Sequence, residues 1–185
     1  MTNAPLPSLP FRSATLSSRK ATRFDFRPDA AGRAAIAAEL GLLDLPAFRL
    51  RGEIRPSGRS DFDFEAELTA DIVQPCSITL APVPASLKEP VRRSFVADWQ
   101  IPEGDEVEMP EDDTLEPLPE VIDIGTVALE ALALALPLYP RAPGAELGEA
   151  VFTAPDAEPL RDEDLRPFAG LAALKARLAP GDGGE

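Results

Sequence analysis

Two neighbouring segments of the chain alternate between apolar and polar side chains at every second position. Residues 48–55 place Phe, Leu, Gly and Ile at even numbers, and residues 61–72 place Phe, Phe, Ala, Leu, Ala and Ile there. The sequence P-S-G-R-S between them consists mostly of turn-forming residues. A period of two is typical of strands that bury one face. The pattern therefore predicts a long β-hairpin.

The charges on the polar face of this hairpin suggest its register. Apolar residues face one another only if the numbers of paired residues have an even sum. A sum of 116 leaves a five-residue loop and gives three pairs of opposite charge, Arg55 with Asp61, Arg51 with Glu65, and Arg49 with Glu67. Each such pair contributes roughly 0.2–1 kcal/mol. We therefore expect a charge ladder, with Glu53 opposite Asp63 as the one unfavourable match.

Other patterns predict the remaining elements of an α+β fold. Residues 23–27 alternate as a short strand does, and residues 91–99 follow a proline-punctuated loop as a third major strand. Asp29 can cap a helix that ends at Gly41. Asp123 can cap a second helix over about 125–136, which is apolar nearly all round. We expect an antiparallel sheet, built on the long hairpin and packed against this buried helix, with additional short helices.

The flanking segments divide the chain into a core and less ordered parts. Residues 1–18 are rich in Pro, Ser and Thr, which predicts a flexible arm. The core domain is expected over 19–141, interrupted by a disordered acidic loop at about 103–120, where nine acids and no Lys or Arg occur. Residues 142–185 should hold an acidic linker, a C-terminal helix over about 167–178 and a flexible tail.

Composition limits the chemistry that the chain can perform. It has no histidine and one cysteine, so the usual bases, disulfides and zinc sites are not expected. No metal, no cofactor and no membrane-spanning segment are expected, and a cytoplasmic location is the default. The net charge of −14 divides into +5 for residues 1–60 and −19 for residues 61–185. We expect a protein that is not an enzyme, with a preference for basic partners.

Candidate contact residues are therefore the cations outside the charge ladder. The cations of the hairpin itself, among them Arg49, Arg51, Arg55 and Arg59, are better explained by cross-strand pairing than by phosphate binding. Two other clusters are candidates for a free basic patch that contacts RNA or another partner. They are Arg19, Lys20 and Arg23 near the N-terminus, and Arg92 with Arg93 on the third strand.

Two segments carry a resemblance to a known family. They are D-I-V-Q-P-C-S-I-T-L-A-P-V-P-A-S-L-K-E-P-V over 71–91 and I-D-I-G-T-V-A-L-E-A-L-A-L-A-L-P-L-Y-P-R over 122–141, separated by the acidic insert. Their order and spacing resemble the YceD family of large ribosomal RNA accumulation proteins, in its α-proteobacterial form. The resemblance implies a role in synthesis, processing or stability of large-subunit (23S) ribosomal RNA. It implies no catalytic residues.

The chain departs from the family pattern at one place. Many relatives have C-x-x-C beginning at the position of Cys76, with further cysteines later in the chain. Here Thr79 stands at the second position, and residues 142–147 contain no cysteine. The resemblance therefore implies only structural roles for the matching residues, which are Cys76, Asp123, Gly125, Glu130, Pro137 and Pro140.

Two functions follow as expectations. The first is a non-enzymatic factor that supports synthesis, processing or stability of large-subunit RNA. Its partner would be either ribosomal RNA or a basic large-subunit ribosomal protein. The alternative is an acidic, chaperone-like module that binds a basic ribosomal protein without touching RNA. A contiguous positive face that includes Arg92 and Arg93 would favour direct RNA binding. The sequence leaves the oligomeric state and the strand order open.

Overall fold

A five-stranded sheet forms the centre of the fold. In chain order, the strands and helices are β1 Pro10–Arg12, β2 Thr22–Phe26, α1 Ala30–Glu39, β3 Asp44–Ser57, β4 Asp61–Pro75, β5 Pro82–Val96, β6 Leu115–Pro117, β7 Val121–Asp123 and α2 Ile124–Ala135. The large sheet has the order β2-β3-β4-β5-β6, antiparallel except for the parallel pair of β5 and β6. The predicted α+β class is confirmed.

The computed structural model describes residues 5–99, 114–146 and 148. The chain divides into two units, Met1–Ala145 and Glu146–Glu185, and the description concerns the first. The predicted C-terminal helix at 167–178 and the tail lie outside the described residues, as does most of the acidic insert. Within the described residues, no helix has the length and apolarity needed to cross a bilayer.

The long hairpin is confirmed as β3 and β4, but the predicted register is wrong by two residues. Paired numbers sum to 118 rather than 116, as in Leu50 with Leu68, and the loop is shorter than expected. Gly58 has a φ of 59°, which makes the tighter turn accessible. A shift of two preserves the buried face, because side chains repeat every second residue. It does change the charged neighbours, so that Glu53 now faces Glu65.

The segment that begins at Pro82 is strand rather than the expected loop. The backbone N–H of Ser94 donates to Thr114 O on the β6 side (2.8 Å), so even-numbered residues of β5 point their N–H groups away from β4. This direction alternates along an antiparallel strand. Pro82, Pro84 and Pro90 share that direction, so their missing N–H groups cost the β4–β5 ladder nothing.

The inner face of the sheet holds the core, and α2 covers it as predicted. Val127, Ala128 and Leu132 of α2 are buried with the even-numbered apolar residues of β4. Phe24 of β2 stacks on Phe64 of β4 with 5.2 Å between ring centroids. Gly52 lies between these strands, and a Cβ there would come within 2.6 Å of the Ala66 Cβ.

The first helix also follows the sequence prediction. The Asp29 carboxylate accepts a hydrogen bond from Gly32 N (2.8 Å), which caps the first turn of α1. Gly41 has a φ of 66°, the left-handed conformation with which a helix commonly ends. The strand expected at 23–27 is present as β2, shifted by one residue.

The N-terminal segment differs from the flexible arm that the sequence predicts for residues 1–18. Strand β1 pairs with β7 in a two-stranded sheet, and a 3₁₀ turn over Ser13–Thr15 follows it. Apolar residues that alternate with Pro and Ser, including Leu9, Phe11 and Leu16, pack against the core. The prediction of a flexible arm was based on the Pro, Ser and Thr content and did not consider where the apolar residues lie between them.

The acidic insert is partly ordered at its C-terminal end. The sequence predicts a disordered loop over about 103–120, but Leu115–Pro117 forms β6 along the edge of β5. An ion pair from Arg93 to Glu116 (2.8 Å) and the backbone bond from Ser94 to Thr114 hold this strand. Residues 103–113 of the predicted loop lie outside the described part of the chain.

Candidate functional site

The two segments that carry the family resemblance meet at the turn that joins β4 to β5. We call this region the Cys76 knuckle, comprising residues 75–81 and the chain that leaves α2, residues 137–142. Ser77 donates to Pro140 O from both its backbone N–H (2.8 Å) and its hydroxyl (3.0 Å). Gln74 donates from its amide to Pro137 O (3.2 Å). Residues far apart in sequence therefore form one small substructure.

The Cys76 thiol lies at the centre of the knuckle and is completely buried. Its sulfur accepts backbone N–H groups from Ala142 (3.3 Å), Thr79 (3.5 Å) and Ile78 (3.5 Å). These donors, led by Ala142 and joined by the Thr79 hydroxyl, outweigh the opposing effect of burial and lower the pKa of Cys76 to about 6. The knuckle therefore stabilises a thiolate with hydrogen bonds from the chain itself.

The two positions at which this chain departs from the family pattern both adjoin that sulfur. Thr79 stands where the resemblance would place the second cysteine of C-x-x-C, and Ala142 begins the later stretch without cysteine. Among the described residues, no group of three or more His, Cys, Asp or Glu side chains is placed to hold a metal ion. The knuckle offers one sulfur, at Cys76, and hydroxyl groups at Ser77, Thr79 and Tyr139.

The outside of the knuckle presents apolar side chains to solvent. Leu138 and Tyr139, which follow α2, are 86% and 78% exposed, and Leu80 in the hairpin turn is 74% exposed. Leu80 also has a φ of 60°, a conformation that is strained for a residue with a Cβ. Strain and apolar exposure at one turn favour a contact role over a packing role.

Asp123 and Gly125 anchor the N-terminal segment to α2. The Asp123 carboxylate accepts hydrogen bonds from Gly125 N (2.8 Å), Leu9 N (2.9 Å) and the Ser8 hydroxyl (2.6 Å). Burial alone would raise the pKa of Asp123, but these hydrogen bonds reverse the effect and lower it. A Cβ on Gly125 would lie 2.2 Å from Pro7 O, so only glycine permits this close approach.

Arg92 and Arg93 do not form one basic patch. Arg93 pairs with Phe64 of the inner face, and its side chain is only 17% exposed. It donates to Glu116 (2.8 Å) and to Glu130 of α2 (2.8 Å), and so joins strand, edge strand and helix. Arg92 pairs with Glu65 on the opposite, solvent face. Period-two alternation in the sequence already separates adjacent residues of a strand onto opposite faces.

The outer face of the sheet carries paired charges, but the pairs differ from the predicted ladder, and neither Arg51 nor Arg59 forms an ion pair among the described residues. The Asp25 carboxylate bonds Arg49 (2.7 Å) and Arg27 (2.8 Å), which hold its pKa far below the ordinary range. Arg55 and Arg23 both contact Glu53, at 2.5 Å and 3.2 Å. The hydrogen bonds from Arg55 and then Arg23 lower the pKa of Glu53. Arg23 is therefore part of this network.

Arg19 and Lys20 lie elsewhere, on an exposed bend before β2. The Ser17 hydroxyl oxygen accepts the backbone N–H groups of Arg19 (3.2 Å) and Lys20 (3.0 Å), which fixes the shape of the bend. Neither side chain forms an ion pair within the described part of the chain. Of the five predicted contact residues, this leaves Arg19, Lys20 and Arg92 with uncommitted charge.

Comparison with known proteins gives one match. The family model described as "Large ribosomal RNA subunit accumulation protein YceD" matches residues 64–175. This range begins within β4, includes the Cys76 knuckle and α2, and extends beyond the described residues. Searches of curated proteins and of solved structures find no significant match.

Proposed function

Since the chain belongs to the YceD family, we propose that it supports synthesis, processing or stability of large-subunit (23S) ribosomal RNA. We further propose that it acts by binding, in the course of ribosome assembly, and not as an enzyme. The observation that carries the proposal is the family match over residues 64–175, more than half of the chain. The partner in this proposal is the ribosomal RNA itself or a basic protein of the large subunit.

Features of the described residues support binding rather than catalysis. The chain has no histidine, the base on which most serine and cysteine nucleophiles depend. The Cys76 sulfur is fully buried, out of reach of a substrate. Glu130 and Asp123, the motif carboxylates, are engaged by Arg93 and by the N-terminal segment. Both carboxylates therefore have structural partners, while the Cys76 knuckle separately presents Leu80, Leu138 and Tyr139 to solvent.

Gene deletion followed by RNA quantification tests the proposal. We expect a strain without this protein to contain less large-subunit RNA relative to small-subunit RNA, and expression of the wild-type chain to restore the ratio. A complementing chain with Leu132→Ala serves as a destabilised control, because Leu132 is fully buried and its truncation costs roughly 2–5 kcal/mol. It should restore the ratio less well than the wild-type chain does. An unchanged ratio of the two RNAs in the deletion strain would contradict the proposed function.

The alternative function is an acidic module for a basic ribosomal protein. The observation in its favour is the charge of −19 over residues 61–185, which attracts cationic chains at low ionic strength. Affinity capture with ribonuclease treatment separates the two. Recovery of a basic large-subunit protein that survives ribonuclease favours the alternative, while loss of all ribosomal partners on treatment favours contact through RNA.

A further inference from the structure

The first part of the chain is positively charged although the whole is strongly negative. Residues 1–24 contain Arg12, Arg19, Lys20 and Arg23 and no Asp or Glu, in a chain whose net charge is −14. The charge is therefore distributed unevenly along the chain. This distribution indicates a local positive region that attracts a polyanion in spite of the overall charge.

The cations at its centre are displayed on an anchored bend. Residues 17–21 are all exposed, while Leu16 before them packs on the core and Thr22 after them begins β2. The two hydrogen bonds to the Ser17 hydroxyl fix the backbone between these anchors. A partner therefore meets a backbone that is already ordered, and binding loses less conformational entropy than it would with a free tail.

A third free cation lies at the same end of the sheet. Thr22 of β2 pairs with Ile54 of β3, so the chain before Thr22 extends toward the β3–β4 turn that contains Arg59. Strand geometry puts the bend and the turn on the order of 10 Å apart. Arg59 forms no ion pair among the described residues.

The surroundings of these cations suit phosphate. Hydroxyl groups flank them at Ser17, Ser18, Ser57 and Ser60, and Ser, Arg and Lys side chains supply many of the contacts that proteins make to phosphate oxygens. The acid beside the turn is Asp61, whose carboxylate accepts the Ala97 N–H (2.8 Å). Neighbouring Arg23 is already neutralised by Glu53.

We propose that Arg19, Lys20 and Arg59 form a phosphate-contact surface for single-stranded segments of ribosomal RNA, a basic edge that reads the RNA backbone and not its bases. This inference rests on the proposed function and adds the contact surface to it. Three phosphate contacts to single-stranded nucleic acid give a slope of about −2 in log K against log salt. Affinity should accordingly fall roughly 20-fold between about 50 mM and about 200 mM salt.

The test compares two triple variants of the full chain in fluorescence anisotropy with a labelled single-stranded RNA of mixed sequence. One variant carries Arg19→Gln, Lys20→Gln and Arg59→Gln. The matched control carries Arg51→Gln, Lys88→Gln and Arg141→Gln, which removes the same charge from exposed positions. Arg51 and Arg141 lack ion pairs within the described chain, and Lys88 has one exposed pair with Glu67 (3.0 Å). Thermal unfolding verifies that both are folded.

We expect the first variant to lose at least tenfold in affinity at low salt and nearly all of its salt dependence, while the control retains the wild-type slope. Equal losses in the two variants would overturn the assignment, since the effect would then come from net charge. So would the absence of wild-type binding at low salt, or equally good competition by poly-L-glutamate, which would point to an acidic protein partner.

Complementation of the deletion strain separates this inference from the function on which it rests. If deletion lowers large-subunit RNA but the basic-edge variant restores it fully, the basic edge is not the contact surface and the proposed function stands. If deletion leaves that RNA unchanged, the proposed function fails whatever the anisotropy shows. Loss of rescue by this variant alone, with rescue by the control, supports both.

Discussion

Replacing Gly125 with alanine tests whether the N-terminal segment is part of the fold. Gly125 lies in the first turn of α2, where an added Cβ would be 2.2 Å from Pro7 O and 3.0 Å from the Cα of Ser8. Carbon and oxygen atoms in close contact usually remain about 3.3 Å apart. The segment at Pro7 therefore has to move by roughly 1 Å to admit the methyl group.

That movement acts on the contacts that hold the segment. The Ser8 hydroxyl and Leu9 N–H donate to the Asp123 carboxylate, and Ile124 N donates to Leu9 O (3.1 Å). A hydrogen bond to a charged group contributes roughly 1.5–3 kcal/mol. Alanine in a helix gains at most about 1 kcal/mol over glycine. We expect the loss to exceed the gain and the free energy of unfolding to fall by about 2 kcal/mol.

Thermal and urea unfolding measure this difference. A change of about 2 kcal/mol corresponds to a decrease in Tm of roughly 5–10 °C for a domain of this size. Thr126→Ala serves as the control, because Thr126 is the next residue of the same helical turn and is exposed. Its free energy of unfolding should change by no more than about 0.5 kcal/mol.

Whether Gly125→Ala lowers or raises the free energy of unfolding decides whether the N-terminal segment packs against α2. If residues 5–9 were a detached arm, Gly125→Ala would be neutral or stabilising through helix propensity alone, and that result would refute the packing described here. A double-mutant cycle adds a second condition. In a chain that lacks residues 1–8, the methyl group meets no carbonyl, so the same substitution should no longer destabilise.

Three further predictions concern single side chains. Arg93→Ala should lower the free energy of unfolding by about 1–2 kcal/mol and Arg92→Ala by less than about 0.5 kcal/mol; equal effects in urea unfolding would contradict their placement on opposite faces. Leu80→Asn should raise stability by up to about 1 kcal/mol, because asparagine tolerates a left-handed φ better; a decrease in Tm would show that Leu80 packs. Because the folded pKa of Cys76 is about 6, below its ordinary 9.0, the stability that the thiolate contributes is present above pH 9 and lost as pH falls through 6. Thiolate absorbance should titrate near pH 6 in the folded protein, and Tm in Cys76→Ala should lack this pH dependence; a folded-state midpoint near pH 9 would exclude it.

The alternation of apolar residues and the presence of helix-capping residues were sufficient to predict most of the fold. Alternation over residues 48–55 and 61–72 gave β3 and β4 with the correct buried face, and Asp123 gave the start of α2. The register was missed because opposite charges do not have to lie directly across from one another. Arg55 reaches diagonally to Glu65 (3.2 Å) and also along its own strand to Glu53, so several registers satisfy the same charges.

Two of the elements that the sequence concealed, β1 and the first part of β5, share one cause, which is their proline content. Proline suggests a loop, but an edge strand tolerates it wherever the N–H would point outward. Strand β5 begins at Pro82 and β1 at Pro10. For the same reason the third strand was expected only from residue 91.

The candidate contact residues were harder to judge than the fold. Arg92 and Arg93 are neighbours in sequence, but only a strand assignment with a known face shows that Arg93 turns inward toward Glu130. Asp123 and Gly125, two residues of the family motif, form contacts that hold the N-terminal segment against α2. The partner is a proposal, because ion pairs show which charged side chains are already paired and do not identify what the unpaired side chains bind.

The prolines of β5 also determine how the molecule behaves beside its own copies. Along the open edge from Pro82 to Pro90, carbonyl groups point outward but three of the five outward N–H positions are proline. An incoming strand would find carbonyl acceptors at all five positions but N–H donors only at Ser86 and Lys88, so it would pair poorly with this edge. No described strand covers this edge before Ser94, and its prolines therefore protect it against the edge-to-edge pairing with another copy that leads to aggregation.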